Sequence, residues 1–448
     1  MCYAIPGKVI EIKDKSVIVE YFGEKRKALN EFVDLKIGDY IYAQGGYVIS
    51  RVPEKEALET LEAWKDLFFE LKKIDLKISE RRFAEEGFSK EFIDLLNRAV
   101  GSDATTTSPA VNGQTGAPNL SRADLLYILN AQKPKELDAI YRAANFVRQK
   151  HLGNACCVHG IIEFSNYCIN NCWYCGIRND NQSIKRYRME IDEIVEAMDM
   201  AVNKYGFKAM VLQSGEDPWY ADEKLVELVK KIKEKCAVLL FISIGERSPE
   251  TYTRLFEAGA RGVLLRFETS NAALYEKLRP GKKLADRLAI IEHCYKLGYL
   301  ILTGSIIGLP NQTADDLIND IELAKKLHAE MYTFGPLIPH HATPLKNTAF
   351  GNLDLSLKVI AATRFIDPNA KIVVTTALET LNPKEGQQQG LLAGANSLMI
   401  NCTPKKYQPH YEIYPDKAGI KDPLEEKIED TLALLKSLGR APTDLGIT

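Results

Sequence analysis

Apolar and polar positions alternate over the first fifty residues in short runs, at 8–12, 16–21, 25–29, 39–43 and 47–51, punctuated by Gly7, Gly23, Gly38 and the pair Gly45 and Gly46. Period-two alternation marks half-buried strands, and five short ones in close succession predict a small, OB-like β-barrel. The period then changes. Leu58, Leu61, Trp64, Phe68 and Leu71 recur at steps of three and four after Pro53, which predicts a helix whose simplest role is to cover that barrel. From about residue 124 the pattern alternates again, now between whole elements. Strands are expected over 158–165, 208–214, 237–243, 262–268, 299–306, 331–335, 371–376 and 396–400, with helical stretches such as 192–204 and 313–327 between them. Eight such units predict a (β/α)8 TIM barrel.

Between the two patterns, residues 76–100 read as helical and charged, and 102–119 as polar, rich in Thr, Gly and Pro, and without period. Ser121 and Asp124 form a capping box that opens a helix through 125–130, and a second helix is expected over 135–150. The expected organisation is a small barrel with its helix over 1–75, a helical segment and linker over 76–119, and the TIM barrel over 120–448. A flexible tether of about 18 residues spans roughly 25 Å, which would let the small domain visit the catalytic face without a permanent interface.

Composition narrows the class. The 448 residues carry a net charge of −2, which gives no global attraction to nucleic acid or to an acidic membrane. No apolar run is long enough to span a bilayer, and the first residues lack the basic and apolar segments of a signal peptide. Nine cysteines, an odd number with three in one loop, fit a reducing compartment better than a disulfide framework. A cytoplasmic protein is expected.

The chemistry concentrates at Cys168, Cys172 and Cys175, directly after the first apolar strand of the second pattern. Three thiolates can hold a 4Fe-4S cluster and leave one iron open. The competing structural zinc site needs a fourth ligand, and its candidates Cys156, Cys157 and His159 stand at the far end of the strand from the loop. In a barrel of this type functional groups lie beyond the C-terminal strand ends. Polar residues fall there repeatedly: Gln213 to Pro218 after the second strand, Gly245 and Glu246 after the third, Arg266 and Glu268 closing the fourth, residues 304–313 after the fifth, Thr375 and Thr376 at the seventh, and Tyr407, Tyr411 and Tyr414 after the eighth. Taken alone, Arg266 and Glu268 read equally as an ion pair, and the tyrosines as packing on a helix. His340 and His341 are assigned no metal, because adjacent side chains diverge.

Three resemblances add to this reading. The spacing of Cys168, Cys172 and Cys175, with Tyr174 before the last cysteine, resembles the radical SAM superfamily. It implies one open 4Fe-4S cluster whose free iron chelates S-adenosylmethionine, reductive cleavage to a 5'-deoxyadenosyl radical, and Tyr174 near the adenine. Met1-Cys2-Tyr-Ala-Ile-Pro6-Gly7 and Ile37-Gly38-Asp39-Tyr40 resemble the HypC family of hydrogenase assembly chaperones. There an N-terminal cysteine, here Cys2 after removal of Met1, holds iron bearing carbonyl and cyanide; Gln44 stands where that family has histidine.

From about Asp124 onward the chain resembles the HydE family of radical SAM maturases of FeFe-hydrogenase. The motifs are Ile161-Ile-Glu-Phe-Ser-Asn166, Asn171-Cys-Trp-Tyr-Cys-Gly-Ile-Arg178, Lys185-Arg-Tyr-Arg188, Gln213-Ser-Gly-Glu-Asp-Pro218, Leu278-Arg-Pro280, Gly308-Leu-Pro310, Thr343-Pro-Leu345 and Thr375-Thr-Ala377. The resemblance implies that Ser214, Glu268 and Arg287 bind S-adenosylmethionine, Arg287 through its carboxylate, and that Arg266, Thr375, Thr376, Tyr411 and Tyr414 line the substrate side. The implied substrate is a small iron complex with carbonyl, cyanide and cysteine ligands. Other hydrogenase maturation proteins are the implied partners, with no nucleic acid and no membrane. The family has Arg where His159 stands and His where Phe267 stands, and the second cysteine group of some members is missing, so one cluster is expected. The alternatives are a radical SAM mutase or sulfur-inserting enzyme on an organic substrate, like methylornithine synthase or biotin synthase, and a noncatalytic scaffold that carries iron ligands.

Overall fold

The computed structural model describes residues 5–31, 33–80, 87–101, 118–420 and 422–443. Cys2 and residues 102–117, most of the expected tether, lie outside them. Strands Gly7–Lys13, Ser16–Tyr21, Glu24–Leu29, Tyr40–Gln44 and Tyr47–Val52 close into a barrel in the order first, second, third, fifth, fourth. Alternation sends Val9, Val17, Val19, Ala28, Ile41, Ala43 and Val48 into its core. The hairpin between the second and third strands turns at Phe22 and Gly23, both at positive φ (47° and 80°), the backbone that lets a two-residue loop match strand twist.

Helix Glu54–Ile78 starts from Pro53 and does two jobs. Phe68 packs on Ile5 and Tyr21 of the small barrel, as the periodicity led one to expect. The last turns leave that barrel and dock on the larger domain. Asp75, 1% exposed, receives two 2.7 Å hydrogen bonds from Arg148 and lies 3.2 Å from Arg440, both guanidiniums being fully buried. Gly439 permits the approach, since a Cβ there would sit 2.3 Å from the Asp75 amide.

The larger domain is a parallel eight-stranded sheet wound into a nearly closed barrel: Cys157–Ser165, Ala209–Ser214, Leu239–Ser243, Gly262–Leu264, Leu300–Thr303, Ala329–Tyr332, Lys371–Ile372 and Ser397–Asn401, called the first to eighth barrel strands below. The eighth pairs with the first, and the seam between seventh and eighth is one bridge, Val373 to Ser397. The fourth, fifth and seventh strands are shorter than the apolar pattern predicts. Side-chain alternation outlasts the ladder there, because the chain peels away into mouth loops: Glu268 turns to positive φ, and Gly304 comes so close to Thr333 that a Cβ would lie 2.6 Å from its carbonyl. On the first strand, Val158, Ile162 and Phe164 face the helical layer, while Cys157, Ile161 and Glu163 face the lumen. Helix Lys90–Val100 packs with Pro134–Leu152 and Leu353–Ile366 in one outer apolar cluster, so it is built onto the barrel domain. Ser121 and Asp124 make the expected capping box for helix Arg122–Asn130.

The small barrel does not hang free. It sits at the base of the large one, opposite the cysteine loop: Glu31 accepts from Arg261 at 2.7 Å, the Tyr47 hydroxyl donates to the Gly298 carbonyl at 3.3 Å, and Lys208 lies 4.6 Å over the Tyr42 ring. The expectation that this domain reaches the catalytic face from a tether is therefore corrected, because these three contacts are to residues that precede the second, fourth and fifth barrel strands, at the end opposite the cysteine loop.

Replacing Asp75 by Asn leaves two buried guanidiniums without their counter-charge. It should lower stability by about 3 to 5 kcal/mol, read as an earlier midpoint in chemical denaturation. An unchanged midpoint would contradict the reading of Asp75 as the interdomain clamp.

Candidate active site

The cysteine loop has no secondary structure of its own, so its shape comes from what grips it. Ile169 donates to the Glu216 carbonyl (3.1 Å), Trp173 to that of Leu278 (2.9 Å) and Gly176 to that of Ile413 (2.7 Å), in the segments that follow the second, fourth and eighth strands. Arg186 wraps the far side, giving hydrogen bonds to the carbonyls of Asn166, Ile177, Arg178 and Asn181. Gly215 is needed for contact alone: a Cβ there would lie 2.1 Å from the Tyr167 carbonyl and 2.9 Å from Cys168. Beside it, Asp217 takes a bidentate pair from Arg188 (2.7 and 3.0 Å) and a 2.7 Å bond from Ser165.

So held, Cys168, Cys172 and Cys175 line a cavity of about 330 Å³ at the mouth of the barrel. Burial pushes all three thiols above their usual range, while the Arg279 guanidinium works against this at Cys172. Among the described residues lining the cavity no fourth Cys or His appears. Cys157 is at the barrel base and His159 is stacked on Phe241 within the lumen. A closed zinc site therefore lacks its fourth thiol or imidazole, whereas three thiols facing open space fit a cluster with one exposed iron.

The same cavity is lined by the residues that the resemblance assigns to S-adenosylmethionine and to substrate: Tyr174, Ser214, Glu268 and Arg287, and Arg266, Thr375, Thr376, Tyr411 and Tyr414. On the cluster side, Glu246 gathers Arg279 (2.6 Å), Lys282 (2.9 Å) and Arg287 (3.0 Å), and Arg279 also reaches Glu216 (3.3 Å). Arg287 spends Nε on Glu246 and Nη1 on the Arg266 carbonyl (2.8 Å), which fixes the plane of its guanidinium. Glu216 Oε2, Glu268 Oε2 and Thr333 Oγ1 are buried without a hydrogen bond, and such orphaned atoms facing a cavity fit a polar ligand there. Glu268 stands at φ +70°, a costly backbone for a non-glycine residue, with Arg266 3.4 Å from its carboxylate. Burial raises its pKa, and a hydrogen bond from Tyr174 opposes the rise.

On the opposite side Tyr411 is buried and Tyr414 half-buried, and the hydroxyl of Thr375 caps helix Thr376–Leu381. Tyr407 does not join them: it stacks on Tyr187 and bonds Glu193 at 2.9 Å outside the cavity. Only a single 3-10 turn, Gln408–His410, separates these tyrosines, so they are not a helical packing stripe. Sequence reasoning missed two ion pairs that line this side, Lys417 with Glu163 and Lys427 with Glu379, and the part played by Arg279, Glu216 and Glu246. Glu163 carried a signal, an acid in lumen phase inside an apolar strand; its partner stands 254 residues away.

His340 and His341 do not diverge as expected but stack at 4.2 Å, near Glu412. His340 Nδ1 accepts from the Ala342 amide (3.0 Å), which leaves the proton of the neutral ring on Nε2, 3.7 Å from Glu412. That tautomer donates rather than ligates. Its ring packs against Gly176, bracing the cysteine loop from behind. Neither His159 nor Phe267 lines the cavity, Phe267 lying in the outer apolar layer.

The fold and site have known counterparts. Residues 162–324 match the radical SAM superfamily, 334–440 the biotin and thiamin synthesis associated domain, and 1–64 the HupF/HypC family. The chain is 42% identical over 305 residues to the [FeFe] hydrogenase maturase subunit HydE of Thermotoga maritima, across 68% of this chain and 87% of that protein. It is 33% identical to 3-methylornithine synthase of Methanosarcina acetivorans over 71% of this chain and 88% of that one. The crystal structure of methylornithine synthase superimposes with a TM-score of 0.63 at 25% identity, covering 78% of this chain and 97% of that one. A barrel of this topology with a three-thiol mouth defines a radical SAM enzyme. Within that class the chain belongs to the HydE family, with a HypC-type domain fused at its N-terminal side. The reading as a noncatalytic scaffold falls with this. A 4Fe-4S cluster and S-adenosylmethionine are the cofactors the class implies. No helix among the described residues is long and apolar enough to cross a membrane.

Gly215→Ala should prevent the cysteine loop from seating, so that iron and sulfide incorporated on anaerobic reconstitution fall to about a tenth of wild type while the barrel stays folded by circular dichroism. Full incorporation would show that the loop does not depend on this contact.

Proposed function

We propose that this chain is a hydrogenase maturase that uses radical chemistry on a small iron complex carrying carbonyl, cyanide and cysteine ligands. The observation that carries the reading is the joining of a HypC-type domain to a HydE-type barrel in one chain. The cavity's chemistry supports it: Arg266, Lys417 and Lys427 supply cationic donors, and Thr375, Thr376, Tyr411 and Tyr414 hydroxyl donors, for the acceptor atoms of an anionic complex.

In this reading Cys168, Cys172 and Cys175 hold a single 4Fe-4S cluster, since after Cys294 the sequence has only Cys402. Ser214, Glu268 and Arg287 bind S-adenosylmethionine, with Tyr174 beside its adenine. Bound there, the pair supplies a 5'-deoxyadenosyl radical on reduction. The chain's own residues do the rest. Arg287, oriented by Glu246, meets the carboxylate, and the buried Tyr411 with the half-buried Tyr414 shields the substrate side from water. Cys2 carries or receives an iron species, and other maturation proteins of a reducing cytoplasm are the partners.

Anaerobically reconstituted protein given S-adenosylmethionine and a reductant should form 5'-deoxyadenosine or an adenosylated product, in higher yield when an iron complex with these ligands is present. No cleavage under any reducing condition would contradict the proposal. Cleavage that abstracts hydrogen from a labelled amino acid, with no response to the iron complex, would favour the organic substrate that the likeness to 3-methylornithine synthase offers. Infrared spectra of anaerobically purified protein should show carbonyl and cyanide bands that Cys2→Ala diminishes; bands unaffected by the change would remove Cys2 from the account.

A further inference from the structure

The small barrel turns one aromatic side chain toward the catalytic barrel that neither the family resemblance nor the mouth employs. Tyr47 opens strand Tyr47–Val52, is 7% exposed, and shares an apolar cluster with Cys157, Ala209, Val211, Leu239, Phe241, Leu302, Met331 and Val373. Those residues come from the first, second, third, fifth and sixth barrel strands and from the residue just past the seventh. This cluster is the packed base of the barrel lumen, and Tyr47 joins it from the small barrel, its hydroxyl held by the Gly298 carbonyl just before the fifth strand.

The ring is joined to the chemistry by packing. Val373 belongs both to the cluster that holds Tyr47 and to the wall of the catalytic cavity, and Phe241 of that cluster stacks on His159. At the rim, the Glu31–Arg261 pair, the Tyr42–Lys208 contact and the Asp75 clamp press the small barrel onto the base. A TIM barrel normally fills its own interior with layered side chains. Here the base is finished by a side chain from another domain. An exposed cluster and its reactive intermediates need water and oxygen kept away from every side, and closure at the mouth leaves the base to be sealed separately.

We propose that the N-terminal small barrel is the rear wall of the catalytic barrel, with the Tyr47 ring as the stopper that keeps water and oxygen out of the lumen from the end opposite the mouth. The proposal stands on lumen geometry and holds whichever substrate the mouth takes. It makes the fused domain a fixed part of the enzyme.

The test uses full-length, anaerobically reconstituted protein and reads two rates: alkylation of Cys157 by iodoacetamide, followed by peptide mass spectrometry, and bleaching of the cluster absorbance at a fixed oxygen concentration. Cys157 is 3% exposed and packed in the same cluster as the ring, so it reports on the seal. Tyr47→Ala should raise both rates about tenfold or more, while Tyr47→Phe, which keeps the ring and loses only the Gly298 hydrogen bond, should stay within about twofold of wild type. Glu31→Arg, which sets like charge against Arg261, should loosen the same seal from outside the lumen. If Tyr47→Ala does not fold, Tyr47→Val replaces it with the same expectation. A folded truncation variant with both rates at wild-type values would overturn the proposal, as would equal increases in Tyr47→Phe.

Discussion

Three thiols stand on a loop that makes no regular secondary structure, and a cluster held there keeps its geometry only if the loop cannot move. That constraint organises the whole mouth. The backbone amides of Ile169, Trp173 and Gly176 are tied to the segments that follow three different strands, the second, fourth and eighth, so the loop is fixed only when the barrel is nearly closed. Arg186 spends its guanidinium on four carbonyls, and the His340 ring backs Gly176. A flexible loop would pay conformational entropy at each cluster insertion; this one has paid it on folding.

Charge is placed with the same economy. Buried carboxylates cost several kcal/mol unless paired, and around this cavity Glu163, Glu246, Glu268 and Glu379 each have a cationic partner. The pairs divide the cavity. Arg279, Lys282 and Arg287 crowd the cluster side around Glu216 and Glu246, where Arg279 also opposes the desolvation of Cys172. Lys417 and Lys427 mark the other side, beside Tyr411 and Tyr414. The lumen below is apolar down to Tyr47, where the second domain begins.

Much of the architecture is legible in the sequence because burial imposes a period on it. Every strand of the large barrel coincides with an apolar run and every strand of the small one with a short run between turn residues, and the hairpin at Phe22 and Gly23 falls where glycine permits a left-handed turn. The strand ends are overshot because side chains keep alternating after the ladder stops, as at Glu268. The site is legible where motif and strand end coincide, which is why the residues chosen for the mouth share one cavity. What escapes is tertiary. Lys417 meets Glu163 across 254 positions, Tyr407 turns outward where Tyr411 turns in, and Tyr47 reads as one more strand residue until the lumen is seen around it. A linker composition likewise says nothing of where the domain before it will dock.

The central claim is that the loop of Cys168, Cys172 and Cys175 holds the protein's one cluster and presents an open iron to S-adenosylmethionine. Iron analysis joined to electron paramagnetic resonance of the reduced, reconstituted protein tests it most directly. The account predicts about four irons per chain and a single cluster signal that shifts when S-adenosylmethionine is added. A content near eight irons, or a signal that the addition leaves unchanged, would contradict it.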